Sequence, residues 1–558
     1  MPDTTPSGQS NSGQAEPGYG TEPDAEDSRG AMLGRVRSVG MLTLLSRILG
    51  LVRDGVMATQ FGNGMIRDAF SVAFRVPNLA RQLFGEGALS TAFLPVFIRD
   101  LEQNDKEIAF RTATAVLISV SVFLFWSLLI AETLVLAVWH FAELNQEAHL
   151  LLGLTAVLLP YLLLVCVLAQ ACAIMHGLGS FSVPAMFPVL LNALWISAAI
   201  IVWNSINHSV TRIYAISASI VGIGVVQLIL SWPTLKKLGF EFQRTWRDNT
   251  DRVREIRRTI LPVVLGLSIT QLNTLLDSVM AWLLTSPSFP TQHGWLSNYP
   301  LSEGTASALY LGQRMYQFPL GIFGVALGTV IFPLLAMHAE RNELTRFRDD
   351  FLHGLRLVIG IGLPASAGLI LVASPLTDAL FRHGAFTEND SRQTAAIIMM
   401  YGLGVWASCG LLIVNRAFYA LGDRRTPLQA GVLSVLVNLA ASLTLVWSLE
   451  GRGLALATAI SAAFQFALAA WLLSKRFESV DWRNLGGITL RAIICTAAMC
   501  AVVAFLSGWL SSLDYPGEVF RRATLLASPV AAGAFVYLTM ARMTGLQEPF
   551  ELLQRNRD

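Results

Sequence analysis

The chain has few charged residues for its length. Asp, Glu, Lys and Arg make up 14% of the 558 residues, and apolar residues make up 53%, whereas soluble domains carry roughly 25% charged residues. A soluble protein of this composition would have too little polar surface to stay dissolved. The composition therefore excludes an ordinary soluble protein and indicates a membrane protein.

Cysteine and the common catalytic motifs are also scarce. The eight histidines do not cluster, and no P-loop, dinucleotide fingerprint, HExxH or nucleophile elbow is convincing. We therefore expect that the protein is not an enzyme or a nucleotide-driven pump, and that it has no cofactor and no nucleic-acid partner. Any transport would then be driven by an ion gradient such as that of Na⁺, by the membrane potential or by the substrate gradient. The five cysteines lack CxxC or metal-like spacing and are interpreted as packing residues: Cys166, Cys172, Cys409, Cys495 and Cys500.

The first 33 residues differ from the rest of the chain. They are rich in Gly, Ser, Pro, Asp and Glu and contain no apolar run, so they cannot bury enough surface to offset the entropy of ordering. We predict a disordered cytoplasmic tail over residues 1–33. Because this tail lacks the regions of a signal peptide, the first apolar segment is predicted to be an uncleaved signal anchor.

Apolar runs long enough to cross a bilayer recur after this tail. A membrane helix needs about 20 mainly apolar residues, and about fourteen such runs are present, here called spans 1 to 14. They predict an all-α polytopic membrane protein. The spans lie at 36–60, 67–98, 109–139, 148–173, 182–204, 212–235, 257–285, 304–336, 352–373, 391–420, 427–448, 452–474, 487–511 and 520–542.

Basic residues are unevenly distributed among the connections. Those after spans 6, 8, 10 and 12 are rich in Lys and Arg, whereas the 3–4 and 7–8 connections contain neither. Because Lys and Arg are enriched in cytoplasmic loops, both termini are predicted to be cytoplasmic. In the 6–7 connection, Leu238, Phe240, Phe242 and Trp246 alternate with basic residues, which predicts an amphipathic linker over 237–256, although an ordinary basic loop fits equally well.

Two pairs of segments repeat at a nearly constant offset. FGEGALSTAFLPVF (84–97) matches FGVALGTVIFPLL (323–335) with one gap, and GLGSFSVP (177–184) matches ALGDRRTP (420–427). The offsets, about 239 and 243 residues, predict that spans 1–6 repeat as spans 7–12. Transporters built from repeats place their substrate between the repeated halves.

The repeat sets the predicted domain boundaries. Two six-helix lobes are expected, joined by the linker and followed by two further helices. The boundaries are 34–236 for the first lobe, 257–474 for the second, 475–545 for spans 13 and 14, and 546–558 for a cytoplasmic tail.

Spans 1, 2 and 8 carry charges that a lipid-facing surface would not tolerate. Each such charge costs ~2.5–3.5 kcal/mol at the centre of a membrane helix, so these residues are predicted to face a hydrated cavity or one another. Arginine is in excess, and its planar donor fork matches phosphate oxygens, so the predicted substrate is a large phosphate-bearing anion. The set is Arg47, Arg53, Asp54, Asp68, Arg75, Arg81, Glu86 and Arg314.

Two roles remain open for individual charges in this set. Asp54 and Glu86 are interpreted as structural locks for neighbouring arginines, because charges within a membrane pair readily. Arg47 and Arg314 are interpreted as substrate ligands.

Span 7 contains a further carboxylate, Asp277. With Asn438 of span 11 and Thr458 of span 12, it is a candidate site for Na⁺ or a proton. A hydrogen bond between packed helices explains the same residues equally well.

Four segments carry a recognisable pattern: SRILGLVRD (46–54), DAFSVAFRVPNLARQLFGEGALSTAFLPVF (68–97), FPLGIFGVALGTVIFPLL (318–335) and RAFYALGDRRTP (416–427). They resemble the MurJ (MviN) family of the multidrug/oligosaccharidyl-lipid/polysaccharide exporter superfamily, over about residues 36–545. The resemblance implies a flippase for lipid II, the undecaprenyl-diphosphate-linked muropeptide precursor of peptidoglycan. Such a protein moves lipid II from the inner to the outer leaflet of the bacterial cytoplasmic (inner) membrane.

The resemblance also implies roles for particular residues. It implies a central cationic cavity and a lipid-tail groove formed by spans 13 and 14. Gln313 and Gln317 replace acidic residues of some relatives, which makes this cavity more positive, and Ser442 replaces an expected carboxylate of a sodium site. The implied substrate-binding residues are Arg47, Arg53, Arg75, Arg81, Arg314 and Ser307, and the implied structural or gating residues are Asp54, Asp68 and Glu86.

Alternating access is the mechanism we expect, with glycines such as Gly321 allowing helices to bend. Lipid II and membrane lipids are the expected partners of a monomer, with cell-wall synthesis proteins as further candidates. Three rival functions stay open: an exporter of another substrate in the same superfamily, a non-transporting scaffold for cell-wall synthesis, and an enzyme of lipid-linked sugars.

Overall fold

The computed structural model describes residues 25–83, 89–103, 106–243, 250–286, 298–477 and 481–551. These residues are almost entirely helical, which confirms the all-α prediction. Within them, nine helices are long and apolar enough to cross a membrane, and one bent pair of helices forms a tenth such unit. The chain is therefore a multi-pass membrane protein.

The helices in the described ranges are numbered here in chain order. They are α1 Ala25–Phe61, α2 Met65–Ala80, α3 Leu89–Glu102, α4 Lys106–Phe141, α5 Gln146–Gly177, α6 Ser182–Ser205, α7 Ser209–Lys237, α8 Thr250–Leu283, α9 Thr305–Pro319, α10 Val325–Glu340, α11 Leu344–Leu380, α12 Glu388–Gly402, α13 Val405–Ala420, α14 Arg425–Leu449, α15 Gly451–Ser474, α16 Trp482–Ser511, α17 Glu518–Thr544 and α18 Glu548–Glu551.

These helices are consistent with fourteen spans, three of which are broken. Span 2 consists of α2 and α3, span 8 of α9 and α10, and span 10 of α12 and α13, which meet at a bend of 41°. Each remaining span corresponds to one helix. The predicted fold class is confirmed, with breaks that hydropathy alone did not show.

Two predicted segments differ from the structure. α1 begins at Ala25, so the helix of span 1 extends into the tail that composition predicts to be disordered. Residues 238–243 of the linker are not helical. Phe240 is buried there and packs against Phe110 of α4, with ring centroids 5.2 Å apart. Over these residues the connection is an irregular segment in which Phe240 packs against protein, as the alternative of an ordinary loop allows; Trp246 lies outside the described residues.

The break in span 2 recurs at the equivalent place in span 8. Residues 81–83 and Leu320–Gly324 are π-helical, and positions 81 and 320 are 239 residues apart, the offset of the first sequence repeat. Pro77 and Pro319 lie near the ends of the preceding helices, where proline removes a backbone hydrogen bond. π-turns of this kind occur frequently at functional sites.

The second sequence repeat is also reproduced in backbone detail. The backbone N–H of Ser180 donates to Met175 O at 2.8 Å, and that of Asp423 donates to Phe418 O at 2.9 Å. The glycine before each donor has a left-handed φ of +81° or +75°, which glycine adopts at little cost. Both turns are Schellman C-caps, so the two halves end corresponding helices in the same way.

Buried apolar residues divide into clusters that follow the predicted lobes. Trp195 and Tyr161 lie in a cluster of the first half, whereas Phe351 and Phe418 lie in one of the second half. A separate cluster joins α16 and α17 to α11, where the Tyr537 hydroxyl donates to a backbone carbonyl. This arrangement is two six-span lobes with two additional helices.

An apolar cleft opens beside α16 in the half of the bundle predicted to be cytoplasmic. It has about 990 Å³ of empty space and is bounded by α11, α13, α15 and α16, with Leu355, Trp406, Phe466 and Ile493 among its walls. No residue of α17 lines this cleft. It therefore differs in position from the groove between spans 13 and 14 that the resemblance implies.

Asp423 fastens two connections at the predicted cytoplasmic end. Its carboxylate accepts hydrogen bonds from the backbone N–H groups of Arg425 and Thr426, both at 3.0 Å, and it pairs with Arg476 from the 12–13 connection. Although burial opposes it, these contacts lower the pKa of Asp423 to about 2. The carboxylate thus caps the N-terminus of α14 and also binds Arg476, which follows the end of α15.

We expect Asp423→Ala to lower the free energy of unfolding by about 1–2 kcal/mol, because the first N–H groups of α14 lose their acceptor. Since the folded pKa lies below the ordinary value, this stabilisation is complete above about pH 4 and is lost as the pH falls towards 2. Thermal unfolding of purified protein in detergent measures the loss, with Asp514→Ala in the 13–14 connection as control. Equal melting of Asp423→Ala and wild type would contradict the assignment.

Candidate functional site

Arg53 and Asp54 form a buried ion pair at the centre of the bundle. Arg53 Nη2 lies 2.7 Å from Asp54 Oδ1, and each residue is only 5% exposed. Arg53 also donates to Asn192 Oδ1 at 3.1 Å, and its guanidinium lies 4.3 Å from the ring centroid of Trp195. The two residues therefore form an ion pair, while the locking role of Asp54 and the substrate-binding role of Arg53 stay predictions.

Arg314 reaches the same carboxylate from the other half. Its Nε lies 3.5 Å from Asp54 Oδ2, and its Nη2 donates to the Tyr310 hydroxyl at 3.1 Å. Arg53 Nη2 lies 3.3 Å from that hydroxyl. Tyr310 was not predicted as a site residue, although it stands one helical turn before Arg314 and so shares its face. Asp54 and Tyr310 thus connect arginines of both halves.

Arg75 is bonded only to neutral acceptors among the described residues. It is 8% exposed. Its Nε donates to Ser278 Oγ at 3.0 Å and its Nη1 donates to Gln313 Oε1 at 2.8 Å. Gln313 Nε2 in turn donates to Thr274 Oγ1 at 2.8 Å. Neutral acceptors orient the guanidinium without cancelling its charge.

Arg75 and Arg314 are equivalent residues of the internal repeat. They are 239 residues apart, and both guanidiniums lie near the Tyr310 ring, at 5.5 Å and 5.3 Å from its centroid. Asn78 and Gln317 are separated by the same 239 residues. The duplication therefore brings one arginine and one amide from each half to the same place.

A narrow polar cleft lies between these residues. Arg75 and Arg314 are its charged walls, and no carboxylate is among its lining residues in the described ranges. Such a cleft suits an anion that also offers hydroxyl or amide groups. Its lining consists of Arg75, Asn78, Leu79, Gln82, Gln271, Thr274, Tyr310, Gln313, Arg314 and Gln317.

Arg47 and Arg81 lie outside this lining. Arg47 is exposed, and a Cβ added to Gly321 would lie 2.8 Å from its Nη2. Gly321 therefore leaves room for Arg47 where the π-turn of span 8 begins. Arg81 donates to Asn78 Oδ1 at 3.3 Å, whereas its proposed partner Glu86 lies outside the described residues.

Asp68 joins the halves at the end of the bundle predicted to face outwards. Its two carboxylate oxygens accept hydrogen bonds from the backbone N–H groups of Gly304 and Ser307, both at 2.7 Å. A carboxylate at a helix N-terminus satisfies unpaired N–H groups and interacts favourably with the helix dipole. Ser307 is fully buried at this contact, so the structure places it away from the cleft lining.

Further bonds close the same end. Asn63 Nδ2 donates to Thr394 Oγ1 at 3.1 Å, the backbone N–H of Met65 donates to Glu303 Oε1 at 2.6 Å, and the backbone N–H of Ala385 donates to a carbonyl of α1 at 2.8 Å. These hydrogen bonds hold together the segments that follow spans 1, 7 and 9. Sequence reasoning missed them because most use backbone groups, which have no residue signature.

Asp277, Asn438 and Thr458 meet as predicted. Asp277 Oδ1 accepts from Asn438 Nδ2 at 3.1 Å, and Oδ2 accepts from Thr458 Oγ1 at 2.8 Å. Asn438 Oδ1 and Ser442 Oγ are buried and have no hydrogen-bond partner within the described ranges. A carboxylate accompanied by an amide oxygen and a hydroxyl oxygen that lack partners fits a small hard cation.

Comparison with known proteins identifies the family. The family described as Lipid II flippase MurJ matches residues 57–522. The chain is 30% identical over 534 residues to the probable lipid II flippase MurJ of Vibrio cholerae, across 91% of this chain and 95% of that relative. The chain belongs to the lipid II flippase MurJ family.

Other members and solved structures agree with this assignment. The lipid II flippase MurJ of Burkholderia cenocepacia is 28% identical over 536 residues, covering 91% of this chain and 97% of that relative. A MurJ structure in an inward closed conformation has a TM-score of 0.71 at 21% identity, over 93% of this chain and 99% of the other. An inward-facing MATE transporter has a TM-score of 0.61 at 14% identity, over 78% and 96%. The MurJ family is confirmed, and the fold is shared with both solved structures.

We expect Asp68→Asn to loosen the predicted outer end of this MurJ family member. The variant loses a charged helix cap worth about 0.5–2 kcal/mol, so a cysteine replacing the buried Thr394 should react about two- to thirtyfold faster with a membrane-impermeant maleimide. The measurement uses a background without the five native cysteines. Glu518→Gln, an exposed change at the same end, is the control; an unchanged labelling rate in Asp68→Asn would contradict this role.

Proposed function

We propose that the chain translocates lipid II from the inner to the outer leaflet of the bacterial cytoplasmic membrane. The observation that carries the proposal is the cleft between the halves, whose charged walls are Arg75 and Arg314. Guanidinium groups recognise phosphate oxygens by paired hydrogen bonds, and lipid II has a diphosphate next to a sugar–peptide headgroup. Membership of the MurJ family supports the same substrate.

Different residues would bind the headgroup and the tail of lipid II. Arg75 and Arg314 bind the diphosphate, while Asn78, Gln82 and Gln317 offer hydrogen bonds to neighbouring hydroxyl and amide groups. The polyprenyl tail stays in the bilayer, and the apolar cleft beside α16 is a candidate surface for it. We expect a monomer with both termini in the cytoplasm, with cell-wall synthesis proteins as candidate partners.

Release has to come from rearrangement of the site. Arginine keeps its charge at any working pH, so the cleft cannot release an anion by losing protons. Opening towards the outer leaflet requires the contacts of Asp68 with Gly304 and Ser307 to break. The membrane potential contributes ~2.3 kcal/mol for each charge moved through 100 mV.

The rival functions fit the cleft less well. A carrier of cationic drugs requires carboxylates at its binding site, and the described cleft lining contains none. A scaffold has no use for Arg75 held by neutral acceptors in a buried position. For an enzyme of lipid-linked sugars, paired carboxylates or a metal cluster are expected at the site, and the described residues contain no such metal-binding cluster.

We expect this chain to restore lipid II exposure on the outer leaflet in a bacterium depleted of its own flippase. Arg75→Gln and Arg314→Gln should each reduce the exposure rate about tenfold or more, because each loses charge-assisted hydrogen bonds to phosphate. Arg346→Gln is the matched control, because Arg346 lies in the 8–9 connection and is largely exposed. If both cleft variants insert normally and restore full exposure, the cleft is not the binding site; if wild type restores none, the proposed function fails.

We further propose that Na⁺ binds at Asp277 and drives the cycle. The carboxylate of Asp277 would supply the charge, and Asn438 Oδ1, Ser442 Oγ and Thr458 Oγ1 would supply further oxygens. The two buried oxygens without partners in the described ranges support this assignment. A bound cation there would tie span 7 to spans 11 and 12.

Asp277→Asn should abolish stimulation of transport by a sodium gradient, because the amide keeps the shape of the side chain and removes its charge. Transport of lipid II into or out of proteoliposomes is measured with and without the gradient. Asp514→Asn in the 13–14 connection serves as control. Equal wild-type rates with and without sodium would refute sodium coupling and leave the lipid II proposal intact.

A further inference from the structure

Two arginines with like charge line the same cleft. The guanidiniums of Arg75 and Arg314 both lie within 5.5 Å of the centroid of the Tyr310 ring. Arg75 is buried, so water screens the repulsion poorly. An anion placed between the two groups would relieve this repulsion.

The contacts of the two arginines differ in charge. Arg314 lies beside the carboxylate of Asp54. Arg75 donates to the hydroxyl of Ser278 and to the amide oxygen of Gln313. Both acceptors of Arg75 are neutral, and no carboxylate of the described residues lies within ion-pairing distance of it. Asp277, the residue before Ser278, acts on Arg75 through space only, so Arg75 forms no ion pair that would compete with an anion in the cleft.

Gln313 itself is fixed on both sides. Its Oε1 accepts from Arg75 Nη1 at 2.8 Å, and its Nε2 donates to Thr274 Oγ1 at 2.8 Å. It also precedes Arg314 directly in α9. The bond to Thr274 holds the amide in the orientation in which its oxygen faces Arg75.

From this geometry we infer that Gln313 is a positioning residue that sets the anion preference of the cleft. It holds Arg75 opposite Arg314, and as a neutral acceptor it leaves the charge of Arg75 to the ligand. A carboxylate at this position would pair with Arg75 and remove that charge from the ligand. The inference rests on the proposed function and specifies how its site selects a diphosphate over a monophosphate.

The test compares the binding of undecaprenyl diphosphate with that of undecaprenyl monophosphate, with lipid II measured alongside them, by purified, full-length protein in nanodiscs. Wild type should prefer the diphosphate about tenfold, because the second phosphate adds charge-assisted hydrogen bonds. Gln313→Glu should bind lipid II about tenfold more weakly and lose most of this preference. In an Arg75→Gln background, Gln313→Glu should weaken binding only about threefold, through space, because the group it neutralises is gone.

Gln271→Glu is the matched comparison, because Gln271 lines the same cleft and the change adds the same charge. Its carboxylate acts through space only, so we expect about threefold weaker binding that is unchanged by Arg75→Gln. Gln313→Met, which removes the acceptor without adding charge, should also weaken binding about threefold and serves as the test if Gln313→Glu does not fold, as judged by thermal unfolding.

Three results would overturn the inference while wild type still binds lipid II. These are equal losses in Gln313→Glu and Gln271→Glu, an undiminished effect of Gln313→Glu in the Arg75→Gln background, and wild-type binding by Gln313→Met. If wild type does not bind lipid II, the proposed function itself fails. The two failures are therefore distinguishable.

Discussion

The two halves of the bundle are aligned by one buried carboxylate, that of Asp54. It pairs with Arg53 of its own helix and lies 3.5 Å from Arg314 of the opposite half. Through Arg53 it fixes the contact with Trp195, and through Arg314 it fixes the position of α9. Without Asp54, the guanidiniums of Arg53 and Arg314 would lose the negative charge that lies between them, which is costly in a buried site.

A second carboxylate of the same half, Asp68, also binds span 8, but in a different environment. Asp68 holds the first turn of α9 at the predicted outer end, and Asp54 reaches Arg314 further along the same helix. Asp68 is as buried as Asp54 in this structure, so water can replace it at the N–H groups of α9 only after that end has opened. Nothing so simple replaces Asp54 in the interior. Under the proposed function, the phosphate of the substrate competes with Asp54 for Arg314, so occupancy of the cleft and the alignment of the halves are linked.

The sequence predicted the spans and the charged set better than it predicted the contacts between them. Asp277, Asn438 and Thr458 meet as expected because each is a polar residue on a separate apolar span, where few other partners exist. Arg75 was grouped with the other arginines. What distinguishes it is that its hydrogen-bond acceptors are neutral, and no sequence pattern indicates that Ser278 is one of them.

Other features of the site were beyond sequence reasoning for equally specific reasons. Tyr310 is one aromatic residue among many in apolar helices, and only its spacing from Arg314 suggests a role. The outer closure depends on the backbone N–H groups of Met65 and Gly304, which carry no side-chain signature in the sequence. Phe240 was assigned to the membrane surface because periodicity cannot distinguish a lipid-facing ring from one packed against another helix.

The duplication supplies a symmetric scaffold, and the chemistry of the cleft depends on where the symmetry fails. Arg75 and Arg314 are equivalent positions, yet Gln313 beside Arg314 corresponds to Phe74 in the first half. Because this glutamine reaches across to Arg75, one half positions the arginine of the other. Asp54, which reaches Arg314, comes from the first half alone. A diphosphate between a lipid and a sugar has two different ends, so a cleft with two equivalent arginines in unequal surroundings can bind it in one orientation.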